Sequence, residues 1–219
     1  MGDIDINKIK VFGAYLDRSS GRNPMTGKKC PILIKSEDAN ITKNKLRESL
    51  TCTVDGPTKP EVIWSTVADQ EPDFDERTLV AYFVPIKPGK HKLTIRCNGK
   101  KLPSTPFEYE VSGEAIDLSK LLEKVTVHGR GHELGKAFTH NQFVVDCSKL
   151  QPPVGTLKVH VKGPDRASAN LNIIDNENGT FTIRYKPTSP GTYTMQVKIA
   201  DCHIPGSPFS VRVTEFLSS

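Results

Sequence analysis

The chain has 219 residues, enough for two domains of about 100 residues that each bury their own core. Charged residues make up 25% and hydrophobic residues 36%, which excludes wholesale disorder, and no apolar run approaches the roughly 20 residues of a membrane-spanning helix. The formal net charge of +5 comes from 30 basic and 25 acidic residues interspersed along the chain, with short clusters such as Lys28-Lys29 and Lys100-Lys101, and this predicts a solvated surface in place of a nucleic-acid track.

Met1 to Asp5 lack the basic start and apolar centre of a secretory signal, so the expected location is cytosolic. Gly2 does not make a myristoylation site, because Ile6 stands where that motif wants Ser or Thr. Cys30, Cys52, Cys97, Cys147 and Cys202 form an odd set without CxxC spacing, which predicts reduced thiols.

The chain is written twice. Val54-Asp55-Gly56-Pro57, Tyr82 to Gly89 and Leu102 to Phe107 return as Val161-Lys162-Gly163-Pro164, Tyr185 to Gly191 and Ile204 to Phe209. A period of about a hundred residues is a whole sandwich domain, too long for a solenoid repeat. Short alternating runs punctuated by Gly, Pro and Asn predict half-buried antiparallel strands. The fold class is therefore all-β, with two tandem immunoglobulin-like seven-stranded antiparallel β-sandwiches.

In chain order, the first repeat is expected over 9–111. It carries an extra segment around Leu16 to Thr26 and a long acidic connection, Asp69 to Glu76, both read as surface loops. A linker is expected over 112–122, where Leu118, Leu121 and Leu122 line one face of a short helical turn. They serve either to dock the domains or to cover the base of the second sandwich. The second repeat, 123–215, has strands predicted near Val125–His128, Gln142–Cys147, Thr156–Lys162, Asn170–Ile174, Thr180–Tyr185, Thr192–Ile199 and Phe209–Val213. Asn178-Gly179 is a hairpin turn between the fourth and fifth, since both residues tolerate positive φ.

Antibody-type sandwiches place a tyrosine two residues before a core cysteine near the start of strand F. Here Tyr193 is followed by Met195, and in the first repeat His91 and Leu93 take the two places. Both cores are expected to close by packing without a disulfide, which suits a reducing compartment.

Asp175-Asn176-Glu177-Asn178-Gly179-Thr180 through Tyr193, followed by His203 to Phe209, closely resembles the immunoglobulin-like repeat of filamins, elongated actin cross-linking scaffolds. The match spans Lys124 to Val213. The first repeat, about Ile9 to Val111, is a divergent copy: Ser104 replaces the glycine of Pro-Gly-Ser-Pro, and the Asp-x-x-x-Gly-Thr hairpin is absent. The calponin-homology domains that bind actin in full filamins have no counterpart in these residues, so actin would be reached only through a larger parent protein.

The resemblance implies a groove between strands C and D where an extended partner tail adds as a further strand. Backbone pairing supplies affinity, and pockets for alternate side chains supply selectivity. Expected partners are cytoplasmic tails of membrane receptors or cytoskeletal adaptor proteins, with no nucleic acid and no membrane insertion. In the first repeat Leu50, Cys52 and Val54 are expected to face inward, leaving Thr51 and Thr53 to the groove. On strand D, Ile63 is expected in the core, with Val62 and Trp64 toward the groove. In the second repeat Lys158 and His160 replace the threonines, with Leu171 and Ile173 on strand D. Long or charged groups on strand C are expected to obstruct a partner, making this the weaker groove or a spacer.

Other chemistry is set aside. His128 and His132 flank what reads as a mobile glycine loop, with no third ligand, so no metal or other cofactor is expected. Asp201, Cys202 and His203 are too close in sequence to face one another as nucleophile and base, so the chain is read as non-enzymatic. The Gly129-x-Gly131 pair is not a phosphate loop, since no helix follows it. Cys52 and Cys97 are expected on neighbouring strands as buried thiols, and Asn40-Ile41-Thr42 and Asn178-Gly179-Thr180 are only formal glycosylation sequons. The rival functional reading is a spacer or force-responsive rod segment with masked grooves. A ubiquitin-ligase module would need RING and B-box segments, which these residues do not supply, and an extracellular adhesion module would want a signal and core disulfides.

Overall fold

The computed structural model describes residues 4–13, 15–16, 23–65 and 77–215. The acidic connection Asp69 to Glu76 and residues 17–22 of the extra segment lie outside the described residues. The chain divides into two compact units, residues 1–116 and 117–219, and each is a largely antiparallel β-sandwich of immunoglobulin type.

The first unit contains β1 (Ile9–Phe12), β2 (Cys30–Ser36), helix α1 (Lys43–Ser49), β3 (Leu50–Asp55), β4 (Ile63–Trp64), β5 (Leu79–Phe83), β6 (Gly89–Cys97), β7 (Lys100–Lys101) and β8 (Phe107–Val111). One sheet runs β1-β2-β5-β4; in the other β6 pairs with β3, β7 and β8. Alternation sets the faces. In β6, His91, Leu93, Ile95 and Cys97 are buried while Lys90, Lys92 and Arg96 are exposed. Leu93, Ile95 and Cys97 meet Ile32, Ile34, Ala81 and Phe83 of the opposite sheet in one core.

The second unit contains α2 (Leu118–Leu122), β9 (Thr126–His128), β10 (Leu134–Lys136), β11 (Asn141–Asp146), β12 (Leu157–Lys162), β13 (Ala169–Asp175), β14 (Thr180–Pro187), β15 (Gly191–Ile199), β16 (Cys202–His203) and β17 (Phe209–Thr214). Its sheets run β13-β14-β11-β9 and β10-β17-β15-β12, with β16 on β15. The strand β10, which pairs in parallel with β17, is not anticipated by the seven-strand reading. In α2 the Asp117 side chain accepts from the Ser119 N–H, and Leu122 is buried while Leu118 and Leu121 are half-buried.

The β13–β14 hairpin forms where Asn178-Gly179 places it, but positive φ falls on Glu177 and Gly179. Asn178 contributes through its side chain, accepting from the Thr180 N–H at 3.0 Å and its hydroxyl at 2.7 Å. Tyr193 and Met195 are fully buried, and the Tyr193 hydroxyl donates to the Ser189 carbonyl at 3.0 Å. His91 replaces that tyrosine in the first unit, its Nδ1 3.0 Å from the Gly89 carbonyl. All five cysteines are free.

The loop at Gly129 to His132 is not the mobile segment its glycines suggest. Arg130–His132 is a 3-10 turn with Gly131 buried against Gln142, and its carbonyl accepts from the buried Tyr185 hydroxyl at 2.7 Å. Glycine is needed there for close approach, since a Cβ would meet the Gln142 backbone.

Candidate partner-binding grooves

In each unit strands C and D close opposite sheets. Among the described residues β3 pairs only with β6 and β4 only with β5; β12 pairs only with β15 and β13 only with β14. Each unit therefore has two adjacent sheet edges whose outer backbone groups lack a ladder partner among the described residues.

In the second unit Lys158 and His160 are exposed on the outward face of β12, opposite Lys198 and Gln196. They do not obstruct the gap between the sheets, as a reading of strand C by side-chain size suggests. The residues turned toward the gap are Leu157, Val159 and Val161, and all three remain half-buried. Across from them Leu171 and Ile173 share the core face of their sheet with Tyr185 and Ile183, and Ile173 is 37% exposed. The result is an apolar gap bordered by an open strand edge.

The first unit differs. Thr51 and Thr53 are exposed on the outward face of β3, and Leu50 and Val54 are buried beneath it, with Cys52 half-buried. On β4 the sequence phase is reversed. Trp64 pairs with Ala81 and Ile63 with Tyr82. Antiparallel partners share a face, and it is Ala81 that belongs to the core. Val62 and Trp64 accordingly pack against the core, and Ile63 faces outward. A strand of two residues within the apolar run Val62-Ile63-Trp64 offers no alternation from which to phase it.

Helix α1 is the element that sequence reasoning missed. It starts at Thr42, whose hydroxyl accepts from the Lys45 N–H at 3.3 Å, and anchors through the buried Leu46. An N-cap threonine and one apolar residue among charged neighbours were the available signal. The helix carries Arg47 to 4.0 Å from the centroid of the Trp64 ring. Burial pushes the Cys52 thiol up to about 12, with the Arg47 charge opposing. The first gap is thus bordered by a guanidinium stacked on the Trp64 ring.

Among the described residues no group of three His, Cys, Asp or Glu side chains is placed to hold a metal ion. The His132 ring packs at 5.2 Å from Phe209 and 5.9 Å from Phe143, and the His128 Nε2 lies 3.0 Å from the Thr126 hydroxyl. Cys52 pairs with Ile95 and Cys97 with Leu50, and the Cys97 thiol donates to the Ser49 hydroxyl at 3.4 Å.

Two immunoglobulin-like sandwiches with disulfide-free cores, each with strands C and D at sheet edges, define a tandem-repeat protein of immunoglobulin-like modules. The Filamin/ABP280 repeat model matches residues 3–108 and 121–210, and the chain belongs to the filamin repeat family. It is 38% identical over 133 residues to Filamin-C of Rattus norvegicus, covering 60% of this chain and 5% of that protein. It is 31% identical over 216 residues to Filamin-A of Drosophila melanogaster, covering 97% of this chain and 9% of that protein. The solved Lin-41 filamin domain aligns at 17% identity with a TM-score of 0.38, over 42% of this chain and 94% of that one. The chain spans less than a tenth of the length of these two curated relatives.

Proposed function

We propose that the chain is a non-enzymatic scaffold segment that takes extended partner tails by strand addition, chiefly at the β12 edge and the β12–β13 gap of the second unit. The observation that carries this is the pairing of a strand edge with half-buried Leu157, Val159 and Val161 and the exposed Ile173. An added strand would satisfy edge backbone groups and set alternate apolar side chains on that surface. Candidate partners are cytoplasmic receptor tails and cytoskeletal adaptors. Actin would be engaged through a larger parent protein, in a cytoplasmic, cytoskeletal setting.

Arg47 over Trp64 favours a second role for the first unit, that of a spacer or force-responsive rod element whose groove is masked from within. Pull-down with the wild-type chain, Ile173→Asp and Thr53→Asp tests both readings. Loss of partners with Ile173→Asp and their retention with Thr53→Asp, at unchanged thermal stability, is expected. The reverse pattern would return the working groove to the first unit.

A further inference from the structure

We infer that the β12–β13 groove, if it works as proposed above, selects strands that alternate apolar with acidic residues. The sheet containing β12 has an outward face built from every second residue of its strands. That face carries Lys158, His160 and Lys162 on β12, Lys198 on β15, His203 on β16, Arg212 on β17 and Lys136 on β10. Between them stand Thr192, Thr194, Gln196, Ser210, Thr214 and Leu134, so no carboxylate occupies an outward position on these strands. Asp201 of the β15–β16 turn lies 3.2 Å from the Lys158 ammonium.

The first unit provides the comparison. Its matching face carries Lys90, Lys92 and Arg96 on β6 and Lys101 on β7, but also Asp55 on β3 and Glu108 and Glu110 on β8. Lys92 bonds Glu108 at 3.1 Å, and Lys90 stands opposite Glu110. Three carboxylates there offset most of the basic charge within the sheet, whereas in the second unit the strands of the sheet supply none on that face.

A strand paired with β12 would continue this face. Its inward side chains would reach Val159, Val161, Leu171 and Ile173. Its outward ones would lie roughly 5 Å, Cβ to Cβ, from Lys158, His160 and Lys162. Acidic residues at those positions gain cross-strand charge pairs, and basic ones meet like charge. The surface therefore fits a tail reading apolar-acidic-apolar-acidic.

The test uses the full chain and fluorescent strand-length peptides with Val at alternate positions and Glu, Gln or Lys between them. The Glu peptide is expected to bind about tenfold more tightly than the Gln peptide at low ionic strength, with Lys weakest and the gap closing as salt rises. The double variant His160→Glu, Lys162→Glu, which leaves the Lys158–Asp201 pair in place, is expected to prefer Lys over Glu. Equal affinities for the three peptides would overturn the charge selection while leaving strand addition standing. Failure of all three to bind would overturn both. Binding of the chain to phosphatidylserine vesicles, with no preference among the peptides, would assign the basic face to a membrane surface and overturn the inference.

Discussion

The guanidinium of Arg47 stacks on the ring of Trp64 at 4.0 Å, joining the helix before strand C to strand D. Trp64 is the chain's one tryptophan, so its emission reports this site, where the ring meets both the guanidinium and the core. Arg47→Ala is expected to shift the emission to longer wavelength and increase acrylamide quenching, at a stability cost of about 0.5–1 kcal/mol. An unchanged spectrum would mean that the guanidinium does not shield the ring.

The buried bond from the Tyr185 hydroxyl to the Gly131 carbonyl ties β14 to the turn before β10. Tyr185→Phe leaves that carbonyl without its partner and is expected to destabilise the second unit by about 1–3 kcal/mol. Gly131→Ala drives a Cβ into the Gln142 backbone and is expected to cost at least as much. Scanning calorimetry set beside the Trp64 emission checks both, since Trp64 lies in the first unit and its transition is expected to stay in place while a calorimetric transition moves down. An equal shift of the tryptophan transition would show that the units do not unfold independently.

Burial holds the Cys30 and Cys52 thiols up at about 12 and Cys147 at about 11. In the unfolded chain such thiols ionise near pH 8.5. Native and unfolded states hold the same thiol protons below that pH. Above it the unfolded chain releases them first, so stability falls toward the native values by up to about 1.4 kcal/mol per pH unit for each thiol. Urea midpoints from pH 7 to 10 are expected to be flat and then decline, with a shallower decline in Cys52→Ala. An identical slope in that variant would exclude Cys52 as a source. At neutral pH the exposed Cys202 is expected to react first with a thiol reagent.

The repeat, the sandwich class and the second-repeat strands were legible because alternation and Asn-Gly turns are local signals. The reversed faces of Ile63 and Trp64 were not, because β4 is too short to show a period and takes its phase from Ala81 and Tyr82 across the sheet. Helix α1 was hidden by its charge. The basic face was hidden for a different reason: Lys136, Lys158, Lys162, Lys198 and Arg212 form no run, and only strand order gathers them. Lys158 and His160 were read by size, whereas their effect depends on which side of β12 they occupy.

Strand addition at the β12 edge is tested most directly by nuclear Overhauser contacts between the labelled chain and the Val/Glu peptide. The account predicts a ladder of backbone contacts from the peptide to Leu157–Lys162, with valine methyls against Val159, Val161 and Ile173. Contacts to the edges at β9 or β10, or a peptide bound without any backbone ladder, would contradict it.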